Sequence, residues 1–457
     1  MAGMSVSTGL ISGIDYSTMI TQLMQVEANP QTLLKQQLSA TQADAAAYRA
    51  VNTRFDALRT AAAALTADTA WTTTKASSSD TSVTATTAAG ATAGSLSFTV
   101  TSLAATHSVY STGSWATADT ALNTSGPTTL TIGGVDVTLT AGKTVNDAVK
   151  AINDSTAGVT AVAVNTGNGV RLQLTSKTSG AGGVFTVSGD VPVSTLTTGT
   201  DAKLRVGDAT TGYDVTSTTN TFADVLPGTT FTVSKKDAAA TVTVSRDPDA
   251  TATKVQSLVD AANSLLSAVS SYTDAESTSA VLKGDSTLRG LSTQVLSIVS
   301  SAVGGKSAST VGIELTRDGQ LTFDKAVFTT ALTSDPAGVK ALLTEKKTVS
   351  AGTDGISGNA DDVTTPVGFA AQLEALAKGA SDSTTGSLVL LAKSGDTLAR
   401  DLQDRIAAWD IRLELRKTTL TRQFTAMETA LSTMQNQASW LSSQIAGLPS
   451  WSSSSKS

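Results

Sequence analysis

The chain has 457 residues, of which 40% are apolar and 4% aromatic, with one histidine, no cysteine and a formal net charge of −6. That length exceeds what one hydrophobic core usually serves, so two to four domains are expected, with cores of Val, Leu and Ala because aromatics are scarce. The lack of cysteine excludes disulfides, thiolate nucleophiles and Cys-based metal sites, and an acidic balance without a cluster of Lys or Arg argues against nucleic acid or a polybasic membrane contact.

The opening MAGMSVSTGL has neither a basic segment nor an apolar run, and no stretch approaches eighteen apolar residues. The reading therefore expects no cleavable secretory signal and no membrane span. In SGIDYSTMITQLMQVEANP, Asp15 caps a helix start, and Met19, Ile20, Leu23, Met24 and Val26 recur at helical spacing until Asn29-Pro30 interrupts them. Beyond Pro30, Leu34, Leu38, Thr41, Ala45, Tyr48, Asn52, Phe55, Leu58, Ala62 and Leu65 step mainly by three and four. This is a coiled-coil seam, and Pro30 to Thr66 would make a rod of roughly 55 Å.

From Thr72 to Ser245 the period drops to two. SLSFTVTSL (Ser95 to Leu103), TLTIGGVDVTLTAG (Thr129 to Gly142), VRLQLTS (Val170 to Ser176), FTVSG (Phe185 to Gly189) and TFTVS (Thr230 to Ser234) alternate apolar residues with Thr or Ser. They read as half-buried antiparallel strands, with Gly133-Gly134 as a hairpin turn. TVNDAVKAINDS (Thr144 to Ser155) reads as a capped helix among them. After Pro248, Lys254 to Tyr272 and Ser286 to Val303 are amphipathic helices, IELTRDGQLTF is a hairpin about Asp318-Gly319, and TSDPAGVKALLT opens a helix with a cap and a proline.

The last segment carries the strongest stripe. Leu402, Ile406, Trp409, Leu413, Arg416, Leu420, Phe424, Met427, Leu431, Met434, Ala438, Leu441, Ile445 and Leu448 alternate by three and four until Gly447 and Pro449 stop them. Two long single-stripe helices each need an apolar partner, so the termini are expected to pair antiparallel. The N-terminal seam is rich in Ala and Thr and buries little, so the pair should be completed by further copies or a host bundle. Arg416 within the stripe either fixes register or snorkels past the edge.

Catalytic chemistry is not legible. His107, the sole histidine, rules out a His-pair metal site or an HExxH motif and is placed at a strand end. Gly142-Lys143-Thr144 and Gly305-Lys306-Ser307 lack the leading glycine of a phosphate loop and read as turns. Asp354, Asn359, Asp361 and Asp362 gather oxygen ligands in GTDGISGNADDVT (Gly352 to Thr364), but without the spacing of a calcium loop, so no metal or cofactor is assigned.

Four stretches in order resemble the flagellar filament-capping, or hook-associated protein 2, family: GLISGIDYSTMITQLMQVEANP with the helix after it; GDSTLRGL; VGIELTRDGQLTFDKAVFTTAL with SDPAGVKALL; and LTRQFTAMETALSTMQNQASWLSSQI. LTIGGVDVTLTAGKTVNDAVKAIN with GVRLQLTSKTSG is similar to a module shared among flagellins and their associated proteins. The resemblance implies a non-enzymatic cap at the distal tip of the flagellar filament. Such a cap is exported through the flagellar type III apparatus, is assembled as a ring of identical copies, and promotes flagellin folding and insertion while preventing subunit loss. Implied partners are flagellin, the hook-filament junction protein and an export chaperone on the apolar side of Leu420 to Leu448. Alternatives are a tip adhesin binding glycans or mucin, or a filament or junction subunit.

The expected architecture is α+β and multidomain. It comprises leg helices over 1–70, joining strands over 71–105, a β-rich head over 106–245 with the flagellin-type module at 129–180, a mixed domain over 246–395, and a C-terminal leg over 396–457. The assembly seam is assigned to Leu38, Tyr48, Phe55, Leu58, Leu65, Leu402, Ile406, Trp409, Leu413, Leu420, Phe424, Met427, Leu431, Met434, Leu441 and Ile445.

Overall fold

The computed structural model describes residues 15–350 and 363–447, which fall into two compact units of a multidomain α+β chain. In chain order the elements are α1 (Tyr16–Glu27), α2 (Asn29–Thr66), β1 (Thr74–Ser78), β2 (Val83–Thr87), β3 (Gly94–Ser102), β4 (Thr106–Ser111), β5 (Thr128–Ile132), β6 (Val135–Leu139), α3 (Val145–Asp154), β7 (Val159–Asn165) and β8 (Val170–Ser179). They continue as β9 (Val187–Gly189), β10 (Val193–Thr197), β11 (Ala202–Val206), β12 (Tyr213–Ser217), β13 (Thr221–Ala223), β14 (Thr229–Val233), β15 (Ala239–Arg246), α4 (Pro248–Thr273), α5 (Ser286–Ser300), β16 (Ile313–Leu315) and β17 (Leu321–Phe323). The remainder is α6 (Lys325–Ser334), α7 (Pro336–Thr344), β18 (Lys346–Ser350), β19 (Val363–Pro366), α8 (Phe369–Ser381) and α9 (Ser387–Ala446).

One unit gathers residues up to 63, 256–324 and those from 337 onward. It is helical because its sequence keeps a helical period, and its two small hairpins are tied to the helices by local polar contacts. Asn263 on α4 donates through Nδ2 to the Leu321 carbonyl at 2.7 Å and accepts the Leu321 N–H at 2.7 Å, pinning the β16–β17 hairpin. Asp285 caps α5, accepting the Leu288 N–H at 2.8 Å. The β18–β19 hairpin and the start of α8 were not singled out in the sequence, and Asp354, Asn359, Asp361 and Asp362 lie outside the described residues.

The other unit, residues 64–255 and 325–336, contains two β modules. In the first, a five-stranded antiparallel sheet ordered β1-β15-β3-β11-β12 accompanies a three-stranded sheet, β13-β14-β2, around Phe98, Val100, Leu204, Phe222, Phe231 and Val242. Phe98 and Phe231 stack at 5.7 Å. Strands β1 to β3, read from sequence as joining strands, thus share a core with strands assigned to the head, because β15 returns between β1 and β3.

The second module carries β10-β4-β8-β7 and β6-β5-β9 with α3, around Leu130, Ile132, Ile152, Leu172 and Leu174. Thr144 and Asp147 cap α3 reciprocally, as the TVND start predicts. Gly133 and Gly134 take positive φ at the β5–β6 turn, and Gly142, of the first phosphate-loop lookalike, does so before α3. His107 is the second residue of β4, buried and edge-on to Phe185 at 4.9 Å. Many Thr and Ser lie on outer faces and pair across strands, as Ser97 and Thr241 do at 2.8 Å, whereas Ser108, Ser111, Thr128 and Thr229 are buried.

Candidate assembly interface

The paired ends begin with a local signal. Asp15 accepts the Thr18 N–H at 3.0 Å and starts α1, which stops at Ala28 because Asn29-Pro30 opens α2. α9 is one helix of 60 residues, starting before Leu402 at Ser387 and ending at Ala446, with Gly447, read as a stop signal, as its C-cap.

α1 and the first part of α2 run antiparallel along α9. Tyr16 meets Phe424, with ring centroids 5.0 Å apart, and Glu27 meets Arg416 at 2.8 Å. Gln31 donates through Nε2 to Asp410 at 2.5 Å, and Arg49 pairs with Asp396. As the first strand of contacts advances from 16 to 49, its partners recede from 424 to 396. Arg416, for which register and snorkelling were both open, makes a cross-helix ion pair with Glu27 from an exposed position; both ends are half-exposed, so its energy is under about 1 kcal/mol and it favours this register only weakly. The helices approach closely at Gly395, where an added Cβ would lie 3.0 Å from the Ala45 Cβ.

The seam residues differ in surroundings. Phe55, Leu58 and Leu65 are wholly buried, as nearly are Leu402 and Leu420, whereas Leu38, Tyr48, Ile406, Trp409, Leu413, Phe424 and Leu431 are half-buried. Met427, Met434, Leu441 and Ile445 are exposed, although they continue the face that Phe424 presents to Tyr16. Tyr48 also has a polar role: its hydroxyl donates to Asp285 at 2.6 Å. Burial raises the Tyr48 pKa above the usual phenol value and the Asp285 carboxylate reinforces it; burial followed by repulsion from Asp285 raises that of Asp44.

Other exposed apolar residues went unnoticed in the sequence. Ile411 and Leu415 are each 65% exposed, one turn apart and about half a helical turn away from Leu402 and Leu420. Leu33 and Trp440 are likewise exposed; Met19, Leu23 and Val26, which the sequence did mark as the apolar stripe of α1, are exposed as well. The i, i+4 spacing of Ile411 and Leu415 was the available signal, masked by the stronger stripe beside it. A recess lined by Arg49, Asn52, Leu388, Ala392 and Asp396 holds the buried Asn52 Oδ1, which lacks a hydrogen-bond partner among the described residues. This arrangement offers apolar docking surface and no catalytic constellation. No described helix is long and apolar enough to cross a membrane.

Comparison with known proteins extends the resemblance. The family models described as Flagellar hook-associated protein 2 N-terminus and C-terminus match residues 12–107 and 199–436, and the Flagellin hook IN motif matches residues 122–178. The chain is 28% identical over 480 positions to the Flagellar hook-associated protein 2 of Escherichia coli strain K12, covering 97% of this chain and 98% of that one. It is 30% identical over 219 residues to the Lateral flagellar hook-associated protein 2 of Vibrio parahaemolyticus, covering 44% of this chain and about half, 49%, of that relative. The crystal structure of the flagellar cap protein FliD D1-D2-D3 domains from Escherichia coli superposes with a TM-score of 0.56 at 27% identity, covering 77% of this chain and 99% of that one. With a C-terminal match that spans more than half of its residues, joined to an N-terminal match at the paired helices, the chain belongs to the flagellar hook-associated protein 2 family, whose members are structural proteins of the flagellum and not enzymes.

Proposed function

We propose that this protein caps the distal tip of the bacterial flagellar filament as a ring of identical copies, beneath which arriving flagellin folds and inserts, and that the ring retains the subunits already placed. Family membership supports the cap, and the surface of the paired helices supports the mode of assembly. The carrying observation is that α9 keeps the apolar face it presents at Phe424 through Met427, Met434, Leu441 and Ile445, where the side chains are open to solvent. A continuous stripe that ends uncovered is buried when another molecule adds to it.

In this reading the leg seam comprises Leu38, Tyr48, Phe55, Leu58, Leu65 and the α9 stripe from Leu402 to Ile445, and the flagellin, junction-protein and neighbouring-copy contacts form along it. The same stripe, from Leu420 onward, is the docking site for an export chaperone before assembly, because an apolar helix in transit needs cover. Export runs through the flagellar type III route.

The test is the double variant Phe424→Asp, Met427→Asp, introduced into cells lacking the native protein. The expected result is loss of rings by electron microscopy of purified protein and of filament growth in cells, with the β modules still folded. Normal rings and filaments would refute the leg seam; rings without any effect of the protein on filament growth would refute the cap.

A further inference from the structure

The two β modules are joined by two antiparallel crossings, Leu103 to Ala105 outward and Thr198 to Asp201 back. Double crossings of this length ordinarily act as a hinge. Here the two crossings are laced together by backbone hydrogen bonds. Ala105 donates its N–H to the Thr200 carbonyl at 2.9 Å, and its own carbonyl accepts the N–H of Thr200 and of Gly180, each at 3.2 Å. The Thr200 hydroxyl donates to the Leu103 carbonyl at 3.2 Å.

Two side chains clamp this ladder from either side. Asn220, between β12 and β13 of the first module, accepts the Ala104 N–H at 2.7 Å and donates through Nδ2 to the Ala104 carbonyl at 3.3 Å. Asp201 accepts the Ala181 N–H at 2.7 Å, tying the return crossing to the end of β8 in the second module. Two buried glycines permit the approach. A Cβ on Gly180, whose φ is +87°, would lie 2.9 Å from the Thr218 Cα; one on Gly199 would lie 2.5 Å from the Gly180 carbonyl oxygen and 3.2 Å from the His107 Cβ.

We infer that Asn220, Asp201, Gly180 and Gly199 form a locked elbow that fixes the angle between the two β modules, so that they move as one body. Any motion the cap makes as subunits add arises outside this joint. Asn220 and Asp201 are positioning residues: they hold the crossings and touch no ligand.

The chain has no cysteine, so spin labels at Thr160→Cys and Thr216→Cys, both on exposed strand positions of different modules, report the angle without background. In the full chain a single narrow distance distribution is expected, broadening about twofold in Asn220→Ala and in Asp201→Ala. Amide exchange at Ala104, Ala105 and Thr200 should quicken about five- to tenfold, the loss of roughly one hydrogen bond, while Leu174 and Val242 in the sheet centres keep their protection. A broad distribution in the parent, or unchanged width and exchange in both variants, overturns the lock. Should Asn220→Ala fail to fold, Asn220→Asp, which keeps the acceptor and removes the donor, decides the question together with Asp201→Ala by the same two readouts.

Discussion

The Asp382 carboxylate, in the turn before α9, accepts the N–H of Thr385 at 2.8 Å, that of Thr384 at 2.9 Å and the Thr385 hydroxyl at 3.0 Å. These donors, led by Thr385, lower its pKa from 3.8 to about 2. A depressed carboxylate adds stability that is present above its unfolded value and is lost as pH falls through about 2. Asp44 has the opposite sign. Its folded pKa is raised by burial and by Asp285, so its contribution is favourable below the unfolded value and is lost as pH rises through the folded one. Urea midpoints measured across this range should separate the two: Asp382→Asn weakens the fold at neutral pH with the difference closing near pH 2, and Asp44→Asn strengthens it at neutral pH by less than about 1 kcal/mol because the site is only partly buried and solvent screens it. The Asp15 and Thr144–Asp147 caps were legible because donor and acceptor lie three residues apart. The Tyr48–Asp285 bond, across 237 residues, leaves no local trace.

At the scale of elements, glycines in two helices make opposite demands. Gly290 lies inside α5 with open space where a Cβ would stand, whereas Gly395 lies inside α9 with the Ala45 Cβ 3.0 Å away. Alanine ordinarily gains about 0.5–1 kcal/mol over glycine in a helix interior. Gly290→Ala should therefore raise stability by that amount. Gly395→Ala should yield no gain, and Gly395→Leu should lose about 1–3 kcal/mol by forcing α2 and α9 apart; chemical denaturation of the three variants checks the contrast. Helical period gave α1, α2, α4, α5 and α9, and the antiparallel pairing of the ends followed from their unpartnered stripes. The same pattern could not separate Phe55 and Leu58, fully buried, from Met434 and Ile445, exposed, because all occupy equivalent positions on a stripe. Which part of a stripe is covered depends on where the partner helix stops, and α1 reaches α9 only as far as Tyr16 among the described residues.

For the whole molecule, the separation of folding from assembly is the testable consequence. The side chains of α9 from Met427 to Ile445 are largely exposed, so their removal takes little from the fold of either unit. A chain ending at Ala426 should keep its unfolding free energy within about 0.5 kcal/mol of the parent and should form no rings. Denaturation and electron microscopy on one preparation read both outcomes, and a large loss of stability would show that the stripe serves the monomer.

By itself the sequence determined the α+β class, the caps and turns, the antiparallel relation of the ends and the family, because each rests on period, local hydrogen bonding or motif order along the chain. Only the tertiary structure decided that β1 and β3 share a sheet with β11 and β15, that Asn220 clamps Ala104, and that Ile411 and Leu415 stand open to solvent. Those outcomes depend on contacts between residues distant in the chain, where alternation and spacing specify that a face must be buried and leave its partner unspecified.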